Sequence, residues 1–144
     1  MSVNPAVQLA AAVVDDLNAA EWDLPFEATR SYRPTFDLED LEALRVTVTP
    51  AATDAVPVSR GEYDRHVGVL VALQQRVGPE QTERLDALTD LVHAITTHLE
   101  DRRLAGAPTA RFEGAESDPL YHPDLLETQR VFLAPILVKY RLNY

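Results

Sequence analysis

Hydrophobic and polar positions alternate most cleanly over residues 60–77. Val67, Val69, Val71 and Leu73 fall on one side, and Asp64, His66, Gly68, Leu70, Ala72, Gln74 and Arg76 on the other. Successive strand side chains point to opposite faces, so this spacing predicts a long strand with one apolar face and one polar or small face. Residues 44–49 predict a second strand, with Val46 and Val48 opposed to Arg45, Thr47 and Thr49. A third closes the chain: Ile136, Val138, Tyr140, Leu142 and Tyr144 alternate with Leu137, Lys139, Arg141 and Asn143. Pro135 argues that its regular pairing begins just afterwards. Residues 27–36 form an edge-strand candidate, because Pro34 removes a ladder donor, and residues 109–114 form a short one.

Two segments switch to the helical period. Asn4 and Pro5 read as N-cap and first helical residue, and Leu9, Val13, Leu17 and Ala20 follow at helical spacing, predicting a helix over 5–20. Leu85, Leu88, Val92, Ile95 and Leu99 make one narrow stripe, predicting a long helix over 80–104. Glu80 and Glu83 begin it, Arg102 and Arg103 occupy its last turn, and Gly106 reads as its C-terminal cap. Residues 22–26 are a loop, 37–41 an acidic turn with Asp37 as a possible cap, and 117–123 a turn-rich link before a single helical turn at 124–127. Residues 50–59, bounded by Pro50 and Pro57, read as an exposed loop. The order of elements predicts an α+β fold: an antiparallel sheet of about four strands against the long helix and the N-terminal helix. The Val67–Val69–Val71–Leu73 face packs on the helix stripe in this reading, and the Asp64–His66–Gln74–Arg76 face looks outward.

Composition narrows the function classes. At 144 residues and 46% hydrophobic, the chain reads as one domain, 1–144, with a real core. It has no apolar run near the ~20 residues of a membrane span. Asp15 and Asp16 interrupt the apolar N-terminal stretch, which lacks a basic start, so no secretory signal is expected. Without cysteine there is no disulfide framework and no thiolate metal site. A net charge of -10 argues against gripping a nucleic-acid backbone. The cations are twelve arginines and one lysine, Lys139. High-GC codon usage accounts for that bias, and arginine also favours interfaces.

Catalytic patterns are absent. His93 and His98 lie about 140° apart around one helix and do not face one metal ligand. No serine sits on a Gly-flanked elbow, and no glycine-rich phosphate loop occurs. The adjacent acids Asp15/Asp16, Glu39/Asp40 and Glu100/Asp101 diverge and read as solvated charge. The expectation is a protein that is not an enzyme and holds no cofactor or metal. Its interface anchors are Tyr63, Arg65, Arg76, Arg111, Phe112, Tyr140, Arg141 and Tyr144, aromatics and arginines on or beside strands, with Phe132 nearby.

The order of pieces carries a resemblance. A leading helix is followed by 28–32 (ATRSY), 36–41 (FDLEDL) and 44–50 (LRVTVTP). Then come 63–69 (YDRHVGV), the helix with Leu88, Asp90 and Leu91, 118–121 (DPLY) and the terminal strand over 132–141. This resembles the tail terminator, or tail completion (head-tail joining), proteins of tailed phages and prophages, over nearly the whole chain. The resemblance implies a ring subunit, commonly of a hexamer. Such a ring caps the tail tube, ends its polymerisation and joins it to the head or neck connector around a channel for DNA. It implies as partners further copies, the tail tube protein and head-tail connector or adaptor proteins, with DNA only as cargo and no membrane. The implied location is the virion tail or neck, assembled in the host cytoplasm. It carries no catalytic residue. An acidic channel wall fits such a conduit, since each basic contact adds drag on the DNA. Two other readings stay open: another neck protein, such as a head-completion or connector-adaptor subunit, and an acidic DNA-mimic inhibitor.

Overall fold

The alternation that dominates the sequence folds as the central strand. A computed structural model describes residues 3–33 and 38–143 of the chain. Its strands are β1 (Ala28–Arg30), β2 (Arg45–Ser59), β3 (Glu62–Arg76), β4 (Arg111–Glu116) and β5 (Val131–Asn143), in the sheet order β1-β2-β3-β5-β4. The helices are α1 (Pro5–Ala19), α2 (Thr82–Leu99) and α3 (Pro123–Gln129), with a short 3-10 helix at Leu38–Glu42. The class is α+β, as the pattern predicts, but the sheet has five strands and is mixed. β1 runs parallel to β2, pairing Ala28 with Val46 and Arg30 with Val48. A parallel neighbour requires a crossover of about a dozen residues, supplied here by the segment that holds the 3-10 helix. β1 is much shorter than the predicted 27–36. The proposed stop at Pro34 and the cap at Asp37 lie outside the described residues.

The predicted apolar face of β3 does pack on the predicted stripe of α2. Val67, Val69, Val71 and Leu73 join Leu88, Val92, Ile95 and Leu99 in one buried cluster, with Leu85 against its edge. α1 completes this layer through Leu9, Val13 and Leu17. Asn4 caps α1 as its sequence predicts, its side chain accepting from the Ala6 N–H at 2.8 Å. Asn18 then fastens β1 to α1, accepting from the Ala28 N–H at 2.7 Å and donating to the Ala28 carbonyl at 3.0 Å.

Three predicted boundaries are corrected. Residues 50–59 are not a loop but the outer half of β2, antiparallel to β3 down to a Ser59–Glu62 pair. β2 has no strand neighbour on its other side there among the described residues, so a missing proline N–H removes no ladder bond. Irregular register between Pro50 and Ala52 and between Pro57 and Ser59 accommodates the rest. The exposure predicted for the segment is observed. α2 ends at Leu99, not near 104. Asp101 turns left-handed at φ 53, Arg102 is drawn to α1, and Leu104 dives into the core. Gly106 is therefore no helix cap; it lies against Ala12, where an added Cβ would come within 3.1 Å of the alanine methyl. β5 begins at Val131 and passes through Pro135, because β4 reaches only to Leu137 and leaves that flank of β5 without a ladder partner.

The second face of the sheet is less open than the sequence implies. Gln74 is 4% exposed, and Thr47 and Ala72 are buried. The 3-10 helix packs on β3 and α3 on β5, contributing buried Leu41 and Leu126. Polar and exposed character returns at the two ends, toward Asp64, His66, Lys139 and Arg141 at one and Arg76 at the other.

Candidate functional site

The eight predicted anchor residues separate into distinct places. Tyr140 is 0% exposed and belongs to the core, so it is no surface anchor; the alternation of β5 turns it inward with Ile136 and Val138. Half-buried Phe112 meets it edge-on with ring centroids 6.1 Å apart. The Tyr140 hydroxyl has no hydrogen-bond partner among the described residues. Burial, and secondarily the negative charge of Asp16, push its pKa well above the ordinary tyrosine range. Phe132 is buried and stacks on Tyr121 at 5.9 Å. Arg76 stands alone at the far end of β3, 3.9 Å from Glu42. Tyr144 lies outside the described residues. The other four fall into two pairs on the surface.

Tyr63 and Arg65 belong to a hairpin arm. The arm turns at Gly61, whose φ of +83 is a conformation that favours glycine. Arg65 lies over the Tyr63 ring at 5.7 Å. β1 pairs β2 only from Val46 to Val48, and the Ser31 N–H donates to the Val48 carbonyl at 3.0 Å just beyond. From Thr49 to Ser59 the outer edge of β2 is therefore open among the described residues. Val56, Val58 and Tyr63 are 47%, 51% and 40% exposed on this arm, with Tyr63 paired to Pro57 and so on the opposite face from Val56, leaving apolar side chains on both faces of its tip. An open edge would invite uncontrolled strand pairing; Pro50, Pro57 and the irregular register blunt it.

Arg111 and Arg141 sit directly opposite each other across β4 and β5. Directly paired residues share a face, so the two guanidinium groups are neighbours. Arg103, from the turn after α2, joins them around a cleft of about 620 Å³ lined also by Asp64, Pro108 and Thr109. Sequence reasoning missed Arg103. The Arg102-Arg103 doublet was the available signal, assigned to a helix end that α2 does not reach.

A fourth cluster ties the two long helices. The His98 Nε2–H donates to Asp16 at 2.8 Å, and Arg102 Nε–H donates to both Asp16 oxygens at 2.7 and 3.0 Å. The Asp16 side chain is only 10% exposed, so it is not the solvated charge the sequence implies. Trp22 packs edge-on against His98 at 5.1 Å, beside a hollow of about 580 Å³ that also holds His93. Asp16 is spent on holding α1 to the turn after α2. Among the described residues, no group of three metal-ligating side chains converges.

No protein-family description and no characterised protein sequence matches the chain. Its fold has solved counterparts. One protein without a descriptive name superposes with a TM-score of 0.56 at 14% identity, over 100% of this chain and 98% of the other. The PVC sheath/tube terminator of an extracellular contractile injection system, in its extended state, gives a TM-score of 0.45 at 14% identity, over 100% of this chain and 59% of the other. The first likeness establishes a shared fold and, at that identity, nothing finer.

Proposed function

We propose that the protein is a structural subunit of a phage tail or tail-like particle. It assembles as a ring, a hexamer, on the end of a tail tube, stops its growth and joins it to the head-side connector. The observation that carries this reading is the β2–β3 arm. It presents an open strand edge from Thr49 to Ser59 and exposed Val56, Val58 and Tyr63. Main-chain donors and acceptors at such an edge pair with a neighbour's strand, and the apolar tip gives that contact a place to bury. The order of elements supports the same assignment. In this reading the protein has no catalytic task and no cofactor, and it resides in the virion tail or neck after assembly in the host cytoplasm. DNA is cargo only: six copies would carry about -60 in all, which opposes retention of a polyanion.

The test is to delete the gene and measure tails by electron microscopy, with native mass spectrometry of the purified protein alone and with tubes. Overlong tubes and a ring on tube ends support the reading. Full heads beside normal-length tails would move the protein to a head-completion or adaptor role. Normal particles overturn both.

A further inference from the structure

The arginine cleft is unusual on so acidic a chain. Arg111 and Arg141 are opposed like charges on one sheet face, an arrangement that is unfavourable unless an anion lies between or above them. Arg103 adds a third, and Asp64 is the single carboxylate lining the cleft. The same three arginines also line an adjoining hollow with Asp101, Arg102 and Glu113; Arg102 is engaged by Asp16 and Glu113 by His66 at 3.1 Å, which leaves Asp101 as the nearby carboxylate on that side. Among the described residues, none of Arg103, Arg111 and Arg141 is in an ion pair, although the chain carries 23 acidic residues.

The matching anion lies at the opposite end of the sheet. The 3-10 helix Leu38–Glu42 exposes Glu39, Asp40 and Glu42, of which Glu42 also lies 3.9 Å from Arg76 of its own chain in a solvent-exposed pair. It is anchored beside the far end of β3, where Gln75 Nε2 donates to the Glu42 carbonyl at 3.0 Å. Asp64 and Gln75 are eleven residues apart on β3, so cleft and acidic helix are separated by about 36 Å of strand. One copy cannot bring them together; two copies placed head to tail can.

We infer that the Arg103–Arg111–Arg141 cleft receives the Glu39–Asp40–Glu42 helix of a second copy of this chain. The guanidinium fork takes carboxylates two bonds at a time, and the net negative charge disfavours a nucleic acid in the same place. Basic and acidic patches at opposite ends of one subunit make a heterologous contact, which closes into a ring when the rotation per subunit allows. The inference rests on the ring reading and names the contact that would close it.

A charge swap tests it on the full chain. One variant carries Arg111→Glu and Arg141→Glu; the other carries Glu39→Arg, Asp40→Arg and Glu42→Arg. Circular dichroism confirms that each is folded; one that is not is replaced by its Arg→Gln version, or its Glu→Gln and Asp→Asn version, which is scored alone for weakened association and kept out of the mixture. Each alone should self-associate at least about tenfold more weakly than wild type by sedimentation and native mass spectrometry. An equal mixture should recover assembly, with the two variants alternating, because every contact is again between opposite charges. The arginine variant assembling like wild type overturns the inference but leaves the ring reading intact. So does a folded mixture that stays dissociated. Wild-type protein that never forms rings, alone or on tubes, overturns both. Duplex DNA bound by wild type at about 0.15 M salt and lost in the arginine variant assigns the cleft to nucleic acid and overturns the inference.

Discussion

Tyr140 is a surface residue by type and a core residue by position. Its hydroxyl is buried without a partner among the described residues, next to the field of Asp16. An unsatisfied buried hydroxyl costs about 1–3 kcal/mol. Tyr140→Phe is therefore expected to leave stability unchanged or raise it by up to that amount, read from urea unfolding. The same substitution has a pH signature. The folded pKa is raised, so the native state keeps this proton after the unfolded chain, with its tyrosine pKa near ~10, has released it. Stability is thus fully present below about pH 10 and falls as pH rises beyond it. That alkaline decline should be shallower in Tyr140→Phe; an unchanged slope between the two proteins sinks the assignment. Asp16 makes the opposite case. It accepts from His98 and twice from Arg102, and it is nearly buried. Asp16→Ala should lose about 1–3 kcal/mol in the same unfolding experiment, because α1 and the turn after α2 lose their shared acceptor. Arg102→Ala should cost less, since it removes a half-exposed cation and leaves Asp16 its bond to His98.

At the level of elements, the arm makes a prediction that the core cannot mimic. Val56, Val58 and Tyr63 are exposed in the protomer, and exposed positions usually shift stability by less than about 0.5 kcal/mol. Changing all three to serine should keep the thermal midpoint of the protomer and remove binding to tail tubes, scored by co-sedimentation. A large loss of stability would show that the tip belongs to the fold instead. The arm also explains where sequence reading works. Strict alternation from Val67 to Leu73 and the 3, 4, 3, 4 steps of α2 each have one solution, because a slip would expose the whole apolar set. The outer half of β2 has no such constraint. Both its faces are exposed, so no alternation marks it, and two prolines imitate a loop. Pairing with β3, a fact of tertiary structure, makes it a strand. The end of α2 was hidden for a similar reason: Arg102 suits a helix end by charge, and its actual partner, Asp16, is 86 residues away. The candidate site was half legible. Arg111 and Arg141 were singled out as separate anchors, but only the β4–β5 register makes them neighbours, and only the turn through Asp101 delivers Arg103 to them.

For the molecule as a whole, net charge and local charge act in opposite directions, and salt separates them. A chain of this length has a radius of gyration near ~15 Å, so neighbouring copies in a ring sit about 30 Å apart centre to centre. Two charges of -10 at that distance repel by about 14 kcal/mol in unscreened water. The Debye length is about 30 Å at 0.01 M and about 8 Å at 0.15 M, so about a third of this repulsion survives in the first condition and only about 2% in the second. A contact between Arg111 or Arg141 and a carboxylate acts over a few ångströms instead, and yields only as the Debye length approaches about 3 Å near 1 M. Self-association should therefore rise between about 0.01 and 0.15 M salt and fall again toward 1 M. The Arg111→Glu/Arg141→Glu variant loses the attractive contact and becomes more negative by about four charge units per copy, two cations lost and two anions gained, so it should rise with salt throughout and show no fall. Sedimentation across a salt series distinguishes the two profiles. Wild-type association that only weakens with salt would mean that net repulsion does not govern assembly, and one that only strengthens would mean that an apolar contact at the arm, rather than the arginine cleft, closes the ring.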